Sequence, residues 1–292
     1  MADTPDTPPK VLFEERGPVA VISLNRPEKA NAQDSDLLYQ LDDAFARFAH
    51  DDNLKVGILR GNGQHFSAGH DLSPEGLADC EVSYPRRSLW WDHAGKIGAD
   101  NWLSRESEVY LGLCRRWRDL PKPTIAMVDG ACIAAGLMLA WSCDIIVASE
   151  RATFADPVIR MGVPGVELFN HPWEMGSRRA KEFLFLGESI DAATAMEWGM
   201  LNHLWPSEEL EERTMDLARR IAEHPRFALA LTKMAVNKAE EAMGIRTGGD
   251  IAFLLHQLAH VQNLVESDSP RRGMNVAETR DALRAADARR TR

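Results

Sequence analysis

Two stretches of this chain end a strand-like run in a turn built of small residues. The first is His65 to Leu72 (HFSAGHDL), which follows the apolar run Lys55 to Arg60. The second is Asp129 to Gly136 (DGACIAAG), which follows the β-branched run Thr124 to Val128 and leads into LMLAW. Small side chains at such turns let a ligand approach backbone N–H groups closely. A pair of N–H groups held in place can stabilise an oxygen that gains negative charge, often the largest single catalytic term. Side chains able to move protons are fewer. His93 in WWDHAG and His171 in FNHPW carry imidazoles that could act near neutral pH, or could be structural. Glu167 lies in the loop after Pro164-Gly165, and Asp156 precedes Pro157, where an Asx-turn is the simpler role. No GxSxG elbow, GxxxxGK[ST] loop or HExxH pair occurs.

Five segments in order resemble the enoyl-CoA hydratase/isomerase (crotonase) superfamily. They are LNRPEKANA (Leu24 to Ala32), FSAGHDL (Phe66 to Leu72), PKPTIAMVDGACIAAG (Pro121 to Gly136), SCDIIVASERATFADP (Ser142 to Pro157) and LGESIDAATAMEWGMLNHLWP (Leu186 to Pro206). The resemblance covers most of the chain. It implies an α/β fold with a ββα spiral core and a C-terminal helical domain that assembles trimers or hexamers. It implies an acyl-CoA thioester as substrate, its oxygen held by the backbone N–H groups of His70 and Ala135, with Gly69 and Gly136 allowing the tight backbone. It places Lys29, Ala30, Ala68 and Leu72 beside the CoA, and Lys233 within possible reach of it. CoA enters as part of the substrate, and no metal or redox cofactor is implied.

The departures bear on the reaction. Hydratases of this family position water with two glutamates. Here the matching positions are Met138 and Val158, which cannot carry a proton. The usual PGxGGTQ run reads PGVELFN (Pro164 to Asn170). The expectation is therefore an enoyl-CoA hydratase-like enzyme that has lost its usual acid–base pair. Alternatives are an acyl-CoA hydrolase, a ring-cleaving enzyme or an isomerase using Glu167 or His93, and a catalytically idle CoA-binding subunit.

Composition sets outer bounds. The 292 residues carry a net charge of −10 and are 45% hydrophobic. Such a chain can bury a sizeable core, and its acidity argues against bulk-charge binding of nucleic acid. Cys80, Cys114, Cys132 and Cys143 form no Cys-x-x-Cys pair and are not grouped with histidines at zinc spacing. A reducing, cytoplasmic setting fits them. The opening MADTPDTPPK lacks the basic and apolar regions of a signal peptide, and no apolar run is long enough to cross a bilayer.

The elements that must position these residues alternate. Val11 to Phe13 and Val19 to Leu24 read as strands, Ser35 to Ala49 as an amphipathic helix, then Lys55 to Arg60, Thr124 to Val128 and Asp144 to Ala148 as strands. Asp71 reads as a cap of the next segment and Asp144 as a turn residue. Helices follow over Ser177 to Leu186, Asp191 to Trp198, Ser207 to Glu223, Phe227 to Met243 and Ile251 to Val265. The expected organisation is a disordered tail over 1–10, a core over 11–206 and helices over 207–292, with a frayed basic end from Ala286. Between Leu72 and Leu120 lie Trp90, Trp91, Trp102, Trp117, Tyr84 and Tyr110. They form either a helical insertion that buries its aromatics or the wall of a pocket for a bulky acyl group.

Overall fold

The computed structural model describes residues 8–79, 82–89, 92–267 and 276–290. The expected tail lies largely outside them, as do Cys80, Trp90 and Trp91. Strands β1 (Val11–Arg16), β2 (Val19–Leu24), β3 (Val56–Gly61), β4 (Thr124–Val128), β6 (Ile145–Ser149) and β9 (His203–Trp205) form one sheet in the order β1-β2-β3-β4-β6-β9. Only β1 is antiparallel to its neighbour. A parallel sheet needs both faces covered, and every residue of β2 and of β4 is buried. A second sheet, β5 (Ala131–Ile133), β7 (Thr153–Ala155) and β8 (Ile190–Asp191), is ordered β5-β7-β8. The chain steps from β4 to β5 and again from β6 to β7, so each of these two turns of the spiral adds one strand to each sheet.

Helix α1 (Ser35–His50) covers one face of the large sheet. Its Leu37, Leu38, Leu41, Phe45 and Phe48 join the main core, and Asp34 caps it by accepting from Leu37 N at 2.9 Å. Helix α9 (Leu210–Ala222) covers the other face. There Leu210, Met215, Ala218 and Ala222 pack on Val19, Val21, Val56, Ile58, Ile125, Met127 and Val147. The helical region after 206 thus begins as a layer of the core.

The other helices are α2 (Pro74–Asp79), α3 (Ala99–Glu106), α4 (Leu113–Arg118), α5 (Ala135–Trp141), α6 (His171–Met175), α7 (Ser177–Leu186), α8 (Ala192–Trp198), α10 (Arg226–Ala242), α11 (Ile245–Ser267) and α12 (Val276–Arg290). The end expected to fray from Ala286 is instead part of α12, with Ala286 buried. Between α3 and α4 runs a π-helical stretch, Ser107–Gly112. Such widened turns are rare and often mark functional sites. No helix among the described residues is long and apolar enough to cross a membrane.

Candidate active site

The two small-residue turns are zipped to each other. Ser67 N donates to Ala131 O at 3.1 Å, and Ile133 N donates to Ser67 O at 2.9 Å. The Ser67 hydroxyl donates to Asn31 O at 2.9 Å and accepts from Gln33 Nε2 and Gly69 N at 3.0 and 3.2 Å. Gly69 has φ +90°, and a Cβ there would lie 2.8 Å from Ile133 O and 3.2 Å from Ala135 N. Gly136 is equally constrained, since a Cβ on it would stand 2.6 Å from Ser67 O. Ala134 itself has φ +49°, a conformation that costs a non-glycine residue of order 1–3 kcal/mol. Beyond it, α5 begins at Ala135, whose N–H opens the helix and has no intrahelical acceptor. Among the described residues neither the His70 nor the Ala135 amide donates to another backbone group.

These turns border a cavity of about 520 Å³. His70, Ala68, Leu72 and Ala134 line it, together with Val158 and Glu167. The Glu167 carboxylate is buried, with Oε2 3.3 Å from His70 Nε2. Burial alone would push this carboxyl up. The His70 and His256 imidazoles beside it outweigh that and hold it below the usual carboxylate range. His70 in turn stacks on Tyr110, with ring centroids 3.6 Å apart.

The loop that carries Glu167 is anchored from behind. Asp156 is fully buried, and its Oδ2 accepts from Val166 N at 3.1 Å and lies 2.9 Å from His171 Nε2. The Asx-turn expected at Asp156 is thus replaced by a longer-range tether. His171 lies buried between Trp141 and Phe169 as part of that tether, outside the cavity lining.

Three further side chains line the same cavity: Glu106 at the end of α3, and His256 and His260 on α11. His256 Nε2 is 3.8 Å from both Glu106 Oε2 and Glu167 Oε1, and His260 Nε2 is 3.4 Å from Glu106 Oε1. Burial would raise the Glu106 carboxyl, but the two imidazoles keep it below the ordinary range. The signal that could have found this group is His-x-x-x-His on a helix, which puts both imidazoles on one face. Residues 279, 280, 283 and 284 of α12 complete the wall.

The other sequence-predicted residues have the following surroundings. His93 is buried outside this lining, with Nδ1 3.2 Å from Arg86 and 3.5 Å from Asp92. Lys233 is engaged within the fold. Its ammonium is buried, 2.9 Å from Asp144 Oδ2, and donates to Lys122 O at 3.0 Å. Asp144 is more than a turn residue, since it also accepts from Thr124 N at 2.8 Å. The aromatic wall is not seen among the described residues. Trp117 sits in the core on Phe45 and donates to Asp42 Oδ1, and among the described Trp and Tyr residues of the insertion only Tyr110 lines the cavity. Met138 is buried in the core, away from the lining, whereas Val158 does line it. Lys29 stands outside the lining and is held at 3.4 Å from Asp71 and 3.7 Å from Glu75. Ala30 accepts from Ala68 N at 2.9 Å, which ties the first turn to the 27–31 segment.

Comparison with known proteins agrees with this architecture. The family model described as enoyl-CoA hydratase/isomerase matches residues 14–81 and 100–282. A probable enoyl-CoA hydratase from Mycobacterium smegmatis superposes with a TM-score of 0.81 at 42% identity, covering 90% of this chain and 98% of that one. The EchA13 protein of Mycobacterium tuberculosis is 42% identical over 247 residues, 84% of this chain and 78% of its own length. The 1,2-epoxyphenylacetyl-CoA isomerase of Escherichia coli is 34% identical over 77% of this chain and 80% of its own. The chain belongs to the enoyl-CoA hydratase/isomerase family.

Proposed function

We propose that the protein hydrates an enoyl-CoA thioester, with the His70 and Ala135 N–H groups holding the thioester oxygen and Glu167 as the base. The observation that carries this reading is the buried Glu167 carboxylate, 3.3 Å from His70 Nε2 on a cavity bordered by both turns. The two glutamate positions usual for hydration are Met138 and Val158, yet two other carboxylates, Glu106 and Glu167, meet in the cavity around His256. Glu167 takes a proton from water as its oxygen adds to C3. The C2–C3 π pair moves toward the thioester oxygen, and C2 then takes the proton that Glu167 accepted, which returns Glu167 to its carboxylate. Held ionised by its histidine neighbours, Glu167 is in the right state to accept that proton. Ala68 and Leu72 border the pantetheine, with Lys29 and Ala30 at the outer rim.

The relative that isomerises an epoxyphenylacetyl-CoA favours a second reading, in which the same base moves a substrate proton and no water adds. Assembly belongs to the same proposal. α10 and α11 expose Phe227, Met234, Leu254, Leu255 and Leu258, an apolar surface that neighbouring copies in a trimer or hexamer would cover.

The test is mass spectrometry of crotonyl-CoA products formed in ¹⁸O-water by the wild type and by Glu167→Gln. Labelled 3-hydroxyacyl-CoA is expected, falling by about 10²–10⁴-fold in the variant. Labelled free acid with released CoA would replace hydration by hydrolysis. A shifted double bond without label would replace it by isomerisation.

A further inference from the structure

We propose that Glu106, His256 and His260 form a binding site for a divalent transition-metal ion, Zn²⁺ being the ion their donor set fits. The site goes beyond the hydration reading and stands on its own geometry. One ligand atom from each of the three side chains lies within 4.8 Å of the others, and all three residues are buried. His256 and His260 are four residues apart on α11, so both project from one face, with ring centroids 4.6 Å apart. Glu106 comes from the end of α3, which packs against α11. Bonds of about 2.0–2.2 Å to one ion bring neighbouring ligand atoms to roughly 3–3.6 Å. The contacts here run to different carboxylate oxygens, 3.4 Å from Glu106 Oε1 to His260 and 3.8 Å from Oε2 to His256, so side-chain rotation must draw the set together around an ion.

The surroundings orient the ligands. His256 Nδ1 lies 2.7 Å from Gly165 O. A carbonyl can only accept, so Nδ1 carries the hydrogen, and Nε2 offers its lone pair to a metal once it gives up its proton. Hydrogen bonds of this kind habitually fix metal-bound histidines. Gln257 Nε2 donates to Glu106 Oε2 and fixes the carboxylate in the same way. Two imidazoles and a carboxylate, with no thiolate, suit Zn²⁺ and its first-row neighbours over soft Cu(I) or hard Ca²⁺. All three residues line the cavity, which provides an entry path and leaves a coordination position open toward it. Glu167 Oε1, 3.8 Å from His256 Nε2, borders that position. A rival arrangement, in which the imidazoles and carboxylates share protons alone, makes no demand for an ion.

The test uses the full chain, stripped with a chelator and titrated with CoCl₂ and then ZnCl₂. Visible d–d absorption reports the coordination of Co²⁺, and calorimetry gives the stoichiometry. One ion per chain is expected, with a melting temperature that rises and saturates on Zn²⁺ addition. His260→Gln and the nearly isosteric Glu106→Gln should each weaken binding at least tenfold and lose the absorption bands. His203→Gln, on β9, should change neither. Unsaturable or substoichiometric binding, or equal affinity in the His260 and Glu106 variants, overturns the site. Metal binding without hydration would sink only the hydration reading, whereas labelled product from metal-free protein that binds no ion would sink only this site.

Discussion

Gly69→Ala tests whether the two turns depend on their close approach. Gly69 has φ +90°, and the new Cβ would sit 2.8 Å from Ile133 O and 3.2 Å from Ala135 N. The obstacle is backbone, which cannot rotate away. A left-handed conformation costs a residue with a Cβ about 1–2 kcal/mol. Forcing a methyl into a packed site costs about 1–3 kcal/mol more. Gly17→Ala separates the two effects, because Gly17 has φ +65° but no atom within 4 Å of its would-be Cβ. It should lose only the conformational part, about 1–2 kcal/mol. Urea unfolding gives both numbers from the midpoint shift at constant slope. The same displacement moves the amide of the next residue, His70. Losing one oxyanion donor lowers turnover by about 10²–10³-fold. Equal destabilisation of the two variants would refute the packing argument. A destabilised Gly69→Ala with undiminished turnover would remove His70 N–H as a donor.

Other perturbations test other parts of the structure. Lys233→Met removes the cation from the Asp144 carboxylate, which keeps its hydrogen bonds to Thr124 and stays solvent-accessible, and should cost roughly 1–3 kcal/mol in urea, between the values for exposed and buried pairs. Its affinity for CoA, measured by calorimetry, should stay within about twofold of wild type; a larger loss would restore Lys233 as a CoA ligand. Asp71 gives a pH signature. Burial would raise its carboxyl, but the Ser73 hydrogen bonds and the Arg26 guanidinium bring it from 3.8 down to about 2. A depressed carboxyl stabilises the fold above its unfolded value and loses that contribution as pH falls. The gap in unfolding midpoint between wild type and Asp71→Asn should therefore be full above pH 4 and close toward pH 2; a constant gap would contradict it. Finally, Leu254→Glu with Leu258→Glu charges a surface where these leucines are 60% and 63% exposed. Light scattering should show smaller species than wild type, and an unchanged mass would place the assembly surface elsewhere.

Much of the fold is legible along the chain because its signals are local. Val19 to Leu24 and Thr124 to Val128 are strands at the bounds their apolar runs suggest, and Ser177 to Leu186 is a helix stopped by Gly187. Asp191 caps α8 through Thr194 N at 2.8 Å, as a cap residue before a helix should. The turns at Gly69 and Gly136 are recognisable because only small residues tolerate such backbone contact. Less legible was the end of the chain, where the weakly amphipathic sequence of α12 hides the packing of Ala286.

What the sequence determined by itself was the order of the long strands of the large sheet, the main helices and the small-residue turns, since each depends on neighbours a few positions away, whereas the short second sheet, β5-β7-β8, emerged only in the structure. It also determined that residues 138 and 158 are Met and Val, neither able to carry a proton, which is a matter of identity alone. Which side chains share the cavity was decided only in three dimensions. Glu106, Glu167, His256 and His260 come from segments far apart in the chain, and periodicity tells which face a side chain occupies, not what faces it. His93 and Lys233 show the converse. Each has a chemistry that invites a role, and each is committed elsewhere, His93 to Arg86 and Asp92 and Lys233 to Asp144, because a buried polar group must find partners where the fold puts it.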